Sequence, residues 1–402
     1  MNSINFVSYQ FFITVIRGGF SLLLLYFFSS YYNEKELSII VALWSLGNMS
    51  SVFLFMSSMT IAPQVFFSNT NFKKNELEKA SYFQLFRLFL CILLTVVLSL
   101  VIIEYYKKFI FFIPFIIFNN LASILPIWKY YSNRMINKVF YSELLFKAPI
   151  ILSIITILFC NFQHNIYYIF LILSSLQLLY VVYDIIKNIN CKSYNHKYVV
   201  FTLSYFHSIY KINIATMLFN TGQVYFISLL APINIINQIA LADKIKNLYL
   251  QLIGIFISNR ISKNRNLIKR TDGLRYIHYI QSNLSSILFI LILFIVFIIL
   301  YFLNFYSIIM KIQLNNFLIF VMPMIYILLT GISIIMISHV LNSYGKVNEF
   351  SRLYTYTAIG ALAIAVLSIY SLSYYAILLS GILHSLLVIF FGIFVLKKHK
   401  II

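Results

Sequence analysis

The segment SSILFILILFIVFIILYFL, residues 285–303, has no charged residue and no alternation of polar and apolar positions. A helix of about 20 apolar residues crosses the ~30 Å hydrocarbon core of a bilayer, whereas strands of membrane barrels alternate over about ten residues. The whole chain of 402 residues is similarly apolar, with 61% hydrophobic and 10% charged residues. Soluble domains carry about 25% charged residues. The sequence therefore predicts an all-α, polytopic membrane protein.

Twelve apolar spans of suitable length follow one another along the chain, separated by short loops. Since no loop is long enough for a folded extramembrane domain, we expect the function to lie within the membrane helices. The predicted spans are 6–28, 37–62, 80–103, 109–130, 141–160, 165–186, 206–231, 236–258, 279–303, 315–341, 353–371 and 374–396.

Basic residues are distributed unequally between the two sides of these spans. The loops after even-numbered spans, with the C-terminal tail, hold 20 of the 30 Lys and Arg residues, and the opposite loops hold four. Because Lys and Arg concentrate in cytoplasmic loops, both termini are predicted to be cytoplasmic. The net charge of +20 thus reflects membrane topology, and we expect no binding of nucleic acid.

A long polar loop at 187–201 divides the chain into halves with six spans each. We predict an N-terminal lobe at 1–190 and a C-terminal lobe at 191–402, arranged around a central cavity. An even number of spans gives both halves the same orientation, as in transporters built from parallel repeats.

Six basic residues fall inside predicted spans, where a charge is costly and usually faces a bundle interior or a cavity. Arg17 lies about 16 Å into the first span, close to the midplane. Such residues either pair structurally or bind an anionic substrate. Those nearer the cytoplasmic ends have a third option, because their side chains can extend to the interface. We predict a cationic substrate site formed by Arg17, Arg87, Lys147 and Lys211.

The stretch IALADKIKN at 239–247 places Asp243, Lys244 and Lys246 inside the eighth span. Asp243 meets Lys246 and Asn247 on one helix face, whereas Lys244 points about 100° away. Two interpretations remain open. The group is a charge-balanced packing element, or Asp243 carries a proton or orients a lysine beside a cavity.

Uncharged polar residues in two other spans are candidates for a cavity wall. They are Asn48 in the second span and Asn220 and Gln223 in the seventh. Small and polar residues at these positions also suit close packing between helices. The three scattered cysteines favour neither disulfides nor a metal site, and we expect no metal and no cofactor.

Four features together resemble Wzx-type polysaccharide repeat-unit flippases of the multidrug/oligosaccharidyl-lipid/polysaccharide exporter superfamily. They are the Arg-Gly-Gly at 17–19, the twelve spans with short loops, the pattern GQVYFISLL…IALADKI at 222–245, and the basic loop that follows. Relatives often have an aspartate where this chain has Gly222.

The resemblance implies two six-helix lobes that translocate an undecaprenyl-diphosphate-linked oligosaccharide by alternating access. It implies a bacterial inner-membrane location and a role in O-antigen or capsule assembly, with a proton or sodium gradient as the energy source. Expected partners are the lipid-linked substrate, membrane lipids, and the polymerase and chain-length proteins of the pathway.

Two other functions fit the composition. A cation-coupled small-molecule exporter of the same superfamily would be expected to show acidic intramembrane residues, whereas basic residues outnumber them here. A membrane polysaccharide polymerase would be expected to carry a large outer loop with Arg and His, whereas the outer loops here are short. No G-x-x-x-x-G-K-[ST] motif for ATP is present, so we expect no ATP hydrolysis by this chain. We predict a transporter and not an enzyme.

Overall fold

The computed structural model of the chain describes residues 3–55, 74–126, 136–160, 165–188, 196–268, 273–303, 316–338, 340–341 and 346–401. Every regular element within these ranges is helical. The prediction of an all-α, polytopic membrane protein is confirmed.

Thirteen α-helices cover most of the described residues. They are α1 Ser3–Tyr31, α2 Glu34–Phe55, α3 Lys74–Tyr105, α4 Ile113–Ile124, α5 Ile136–Cys160, α6 Asn165–Asn188, α7 His196–Thr216, α8 Gln223–Ser228, α9 Ile233–Ile268, α10 Gly273–Phe302, α11 Phe317–Ser333, α12 Val347–Leu372 and α13 Tyr374–Lys398. A 3₁₀ segment at Lys107–Phe112 precedes α4, and π-helical segments occupy Met217–Gly222 and Ile334–Ser338.

The described part of each predicted span is helical almost throughout. Ten helices among the described residues are long and apolar enough to cross a membrane. The two predicted spans outside this set are 206–231 and 236–258. The first is interrupted by a π-helical segment and a turn, and the second carries three charged residues. The least apolar spans are therefore the ones that contain most of the predicted polar site.

Contacts between residues group the chain into two compact units. Unit 1 comprises Met1–Ile16 and Ala42–Gly222, and unit 2 comprises Arg17–Val41 and Gln223–Ile402. The lobes predicted at 1–190 and 191–402 remain a prediction.

Aromatic side chains fill the centre of unit 1. The Phe115 ring of α4 lies edge-on to Phe170 of α6, with 5.2 Å between centroids, and edge-on to Trp44 of α2 at 5.5 Å. Edge-to-face pairs of this kind add about 0.5–1.5 kcal/mol beyond the burial of their area. They join α2, α4 and α6 into one packed layer.

Polar side chains also hold α2, α3 and α4 together within unit 1. Ser50 donates a hydrogen bond to Asn120 Oδ1 at 2.6 Å, and Asn120 Nδ2 donates to Thr95 Oγ1 at 3.0 Å. A Cβ atom on Gly47 would lie 3.4 Å from Ile116. This stretch of α2 therefore serves close helix packing, one of the two roles predicted for its small polar residues.

Unit 2 depends on close approaches between helices. Gly18 of α1 packs against the Leu248 side chain of α9, and the Tyr249 hydroxyl donates to the Ile290 carbonyl of α10 at 2.6 Å. The π-helical segment after α11 packs against Gly392 of α13. Small residues permit such approaches in membrane proteins, where packing replaces the hydrophobic effect between helices.

We expect Gly392→Ala to destabilise the protein. A Cβ atom there would lie 2.5 Å from Ile337 Cγ2 and within 2.9 Å of two more atoms of that side chain, and β-branched Ile has little rotamer freedom in a helix. Overpacking costs about 1–3 kcal/mol. The measurement is the midpoint of thermal unfolding in one detergent.

Gly360→Ala is the matched control, because its new Cβ would meet one side-chain atom at 4.0 Å. Both variants gain about 1 kcal/mol of helix propensity. The midpoint should therefore fall for Gly392→Ala and not for Gly360→Ala. Equal midpoints would contradict the packing described here.

Candidate functional site

The most deeply buried charged residues of unit 2 lie in the first half of α9. Each residue from Ile239 to Lys246 has a relative exposure of 5% or less. Eight residues exceed two helical turns, so α9 is covered on all sides at this level. The charged side chains of this stretch are therefore enclosed by protein.

Asp243 is the centre of this group. Its Oδ1 atom lies 2.6 Å from Lys246 Nζ, and its Oδ2 atom accepts a hydrogen bond from Asn247 Nδ2 at 3.0 Å. Lys244 Nζ lies 3.6 Å from Oδ2. The contacts predicted for Lys246 and Asn247 are present. Lys244, predicted to point away, reaches the carboxylate because its side chain is long and flexible.

We call Asp243, Lys244 and Lys246 the α9 cluster. Desolvated charges are costly unless they are paired and hydrogen-bonded. The Asp243 carboxylate contacts both lysines. The α9 cluster thus places two basic groups beside one acidic group, an arrangement that favours an anionic ligand.

Arg17 lies on α1, in the same unit as the α9 cluster. Its side chain is half-buried, and the adjacent Gly18 packs on Leu248 of α9. Leu248 is five residues from Asp243, a rise of about 7.5 Å along the helix. The turn of α1 that contains Arg17 therefore lies beside α9, the helix that carries the α9 cluster.

Gln223 begins α8 and is buried. Its Nε2 atom donates to the Ile377 carbonyl of α13 at 3.2 Å, and a Cβ atom on Gly381 would lie 2.7 Å from Nε2. Gly381 therefore makes room for the amide. The structure places Gln223 at a contact between α8 and α13 within unit 2.

The other predicted polar residues lie in unit 1. Asn48 is half-buried on α2. Lys211 is on α7 and Asn220 is in the following π-helical segment, but the side chains of both lie outside the described part of the structure.

Arg87 of α3 is fully buried in unit 1. Its Nε atom donates to the Leu54 carbonyl of α2 at 2.9 Å, its Nη1 atom donates to Gln84 Oε1 at 3.1 Å, and its Nη2 atom donates to the Ser123 carbonyl of α4. It does not extend to the interface, one of the options left open for it.

The end of α4 explains why Arg87 and Gln84 bond there. Leu125 leaves the helical conformation, with ψ of 141°, and Pro126 follows it. A residue before proline is disfavoured in a helix, and the last carbonyls of a helix lack intrahelical donors. Gln84 Nε2 donates to the Ile124 carbonyl, beside the Arg87 bond to Ser123. The two side chains cap α4.

Lys147 of α5 forms an ion pair with Glu143, with 2.7 Å between Nζ and Oε2. The two residues are i and i+4 on one helix face, a favourable spacing for opposite charges. Glu143 was not among the predicted site residues, although the spacing in SELLFKAPI was available in the sequence. The structure brings Lys147 to a carboxylate of its own helix.

The predicted residues thus form separate groups. Arg17, Gln223 and the α9 cluster belong to unit 2, whereas Arg87, Lys147 and Asn48 belong to unit 1. Within the described ranges no group of three or more His, Cys, Asp or Glu side chains is placed to hold a metal ion.

Comparison with solved structures finds the same fold in membrane transporters. The eukaryotic MATE transporter AtDTX14 superposes with a TM-score of 0.59 and 11% identity, over 99% of this chain and 97% of that one. The chain has the fold of a MATE transporter. An outward-facing multidrug resistance MATE transporter of the MOP superfamily gives a TM-score of 0.53 and 13% identity, over 99% and 95% of the two chains. No protein-family model and no curated protein matches the sequence.

At 11% and 13% identity, these two neighbours show the fold alone. Both cover nearly the whole length of this chain and of their own chains.

We expect Asp243→Asn to destabilise the protein far more than Lys246→Met. Asp243→Asn leaves two buried ammonium groups without their carboxylate, whereas Lys246→Met leaves one carboxylate with Lys244. Removing one partner of a buried ion pair costs about 3–5 kcal/mol when an uncompensated charge remains. The midpoint of thermal unfolding measures both changes.

The double variant Asp243→Asn/Lys246→Met tests the same explanation. It leaves one ammonium group where Asp243→Asn leaves two, so its midpoint should lie above that of Asp243→Asn. If Lys246→Met is as damaging as Asp243→Asn, the charge balance described for the α9 cluster is wrong.

Proposed function

We propose that the protein is a flippase that moves polyprenyl-diphosphate-linked oligosaccharide repeat units from the cytoplasmic to the outer leaflet. The observation that carries this proposal is the α9 cluster, a buried group of two lysines and one aspartate in a chain with the fold of a MATE transporter. Arg17 adds a further cationic group. It lies on the turn of α1 that packs against α9.

A diphosphate is the anionic group that such a site binds best. Guanidinium groups form paired hydrogen bonds to phosphate oxygens, and ammonium groups contact them as point charges. A lipid-linked diphosphate also has an apolar chain that remains in the bilayer while its polar part crosses. This combination explains why basic groups belong inside a membrane transporter.

Transport would proceed by alternating access. The diphosphate binds the cationic groups from the cytoplasmic side, the helices rearrange, and the substrate leaves on the outer side. A proton or sodium gradient supplies the energy. The bacterial inner membrane, with both termini in the cytoplasm, is the proposed location, because the loops with 20 Lys and Arg residues would then be cytoplasmic. The polymerase and chain-length proteins of glycan assembly are the proposed partners.

A cation-coupled small-molecule exporter is the second candidate. It is favoured by the fold, since one structural neighbour is a multidrug resistance transporter. It is disfavoured by the charges, because the buried carboxylates Asp243 and Glu143 both contact lysines. A site for cationic drugs needs carboxylates that are available to the drug.

Deletion of the gene in its host separates these functions. Surface glycan, lipid-linked repeat units on each side of the membrane, and resistance to cationic drugs are measured together. A flippase deletion abolishes surface glycan and leaves single repeat units inside. Repeat units that reach the outer face unpolymerised would indicate a polymerase, and normal glycan with drug sensitivity would indicate an exporter.

The variants Arg17→Ala and Lys246→Met test the cationic site in the same strain. A hydrogen bond to a charged group contributes about 1.5–3 kcal/mol, so each variant should lower transport about tenfold or more. Lys398→Ala, an exposed lysine in the last turn of α13, is the control and should transport normally. All variants are compared at equal membrane abundance. Normal transport by Arg17→Ala and Lys246→Met would contradict the site.

A further inference from the structure

Asn237 is a buried polar residue of α9 outside the α9 cluster. Its relative exposure is 5%, and no group in the described part of the chain donates a hydrogen bond to its Oδ1 atom. The next residue, Gln238, is also buried, but its Oε1 atom accepts a hydrogen bond from the Asn316 backbone N–H at 3.2 Å. A buried acceptor without a donor destabilises a folded protein. The fold itself therefore gives no reason for an amide at position 237.

Asn237 lies on the same face of α9 as Lys244. Seven residues make almost two helical turns, so the two positions are about 20° apart around the axis and about 10.5 Å apart along it. Leu248, one turn beyond Lys244, continues this face and packs against Gly18 of α1. Because Arg17 precedes Gly18 in the chain, the face that carries Asn237 also meets the turn of α1 that contains Arg17.

Asn237 is also near the end of α9 that is predicted to face outward. Ile233, the first residue of the helix, is 40% exposed, and Asn237 lies one turn after it, about 6 Å along the axis. Lys244 lies deeper. A ligand that is held by Lys244 and extends toward the exposed end of α9 would therefore reach Asn237.

The chemistry of the Asn237 Oδ1 atom determines which part of the proposed substrate it can bind. An amide oxygen accepts hydrogen bonds and cannot donate them. The ionised diphosphate carries acceptors alone, whereas the hydroxyl groups of a sugar are donors. A sugar joined directly to the diphosphate is thus the matching group. The separation of about 10.5 Å between Asn237 and Lys244 along α9 is comparable with the length of a diphosphate joined to one sugar ring.

We propose that Asn237 binds the first sugar of the lipid-linked repeat unit, by accepting a hydrogen bond from a sugar hydroxyl while Lys244 contacts the diphosphate. This inference rests on the proposed function and deepens it, because it assigns recognition of the carbohydrate to a residue other than those that bind the phosphates. It explains why an unpartnered amide shares a helix face with Lys244. An apolar residue at position 237 would not distinguish a glycosylated lipid from a bare one.

Binding of two lipids to the purified full-length protein tests this assignment. The probes are undecaprenyl diphosphate and the same lipid carrying one N-acetylglucosamine. Asn237→Leu should weaken binding of the sugar-bearing lipid about three- to tenfold, the effect of one hydrogen bond, and should leave binding of the sugar-free lipid unchanged. Lys244→Met removes a phosphate contact and should weaken binding of both lipids about equally.

The midpoint of thermal unfolding without lipid separates a binding role of Asn237 from a structural one. A leucine of similar volume removes the cost of the unpartnered amide oxygen, so Asn237→Leu should raise the midpoint while it weakens binding of the sugar-bearing lipid. Asn120→Leu is the matched control, because Asn120 accepts a hydrogen bond from Ser50 and donates one to Thr95. The midpoint of Asn120→Leu should fall.

A loss of affinity confined to the sugar-bearing lipid, together with a higher midpoint for Asn237→Leu, supports the proposal. Equal affinity of the unaltered protein for the two lipids, an equal loss for both lipids in Asn237→Leu, or no loss at all would overturn it. A lower midpoint for Asn237→Leu would give the amide a structural role and would also overturn it.

The transport measurement in cells keeps this assignment separate from the proposed function. If the deletion strain accumulates repeat units inside and Asn237→Leu restores normal export, the role of Asn237 alone is refuted. Normal export in the deletion strain refutes the flippase function, whichever lipid the purified protein binds.

Discussion

The cost of placing charge inside a membrane protein is the constraint on which unit 2 depends. An isolated ammonium or carboxylate at this depth is strongly unfavourable, and the α9 cluster reduces that cost by sharing one carboxylate between two lysines. This arrangement requires that neighbouring helices cover α9 on all sides. The Gly18 contact on Leu248 and the Tyr249 bond to the Ile290 carbonyl provide two such close approaches. Electrostatics and packing are therefore coupled, because a looser bundle would expose a charged group to hydrocarbon.

Unit 1 solves the same problem in two other ways. Arg87 is stabilised by neutral oxygens, including the Ser123 carbonyl in the last turn of α4. This carbonyl lies at the negative end of the helix dipole and lacks an intrahelical donor because α4 ends before Pro126. Lys147 is balanced within its own helix by Glu143. Both arrangements satisfy the charge locally. The α9 cluster differs from both arrangements, because two lysines share one carboxylate.

Local features of the sequence predicted the fold and part of the site. Apolar runs gave the spans, and the i,i+3 spacing gave the contact of Asp243 with Lys246, because both depend on residues close in the chain. The carbonyl acceptors of Arg87 were not predictable in this way, because backbone carbonyls have no sequence signature. The Leu54 and Ser123 carbonyls belong to residues 33 and 36 positions from Arg87 in the chain. The contact of Gly18 with Leu248 joins residues 230 positions apart in the chain and needs the folded structure. The contact of Glu143 with Lys147, by contrast, follows from their i,i+4 spacing in the sequence.

Under the proposed function, Asp243 and a substrate diphosphate compete for the same basic groups. Both are anions, and Asp243 already contacts Lys244 and Lys246. A bound diphosphate must therefore replace the carboxylate contacts that stabilise the α9 cluster, so substrate binding and the packing of α9 are coupled. The side chains that satisfy the charge of α9 in the described structure are thus the same ones that would exchange partners during transport.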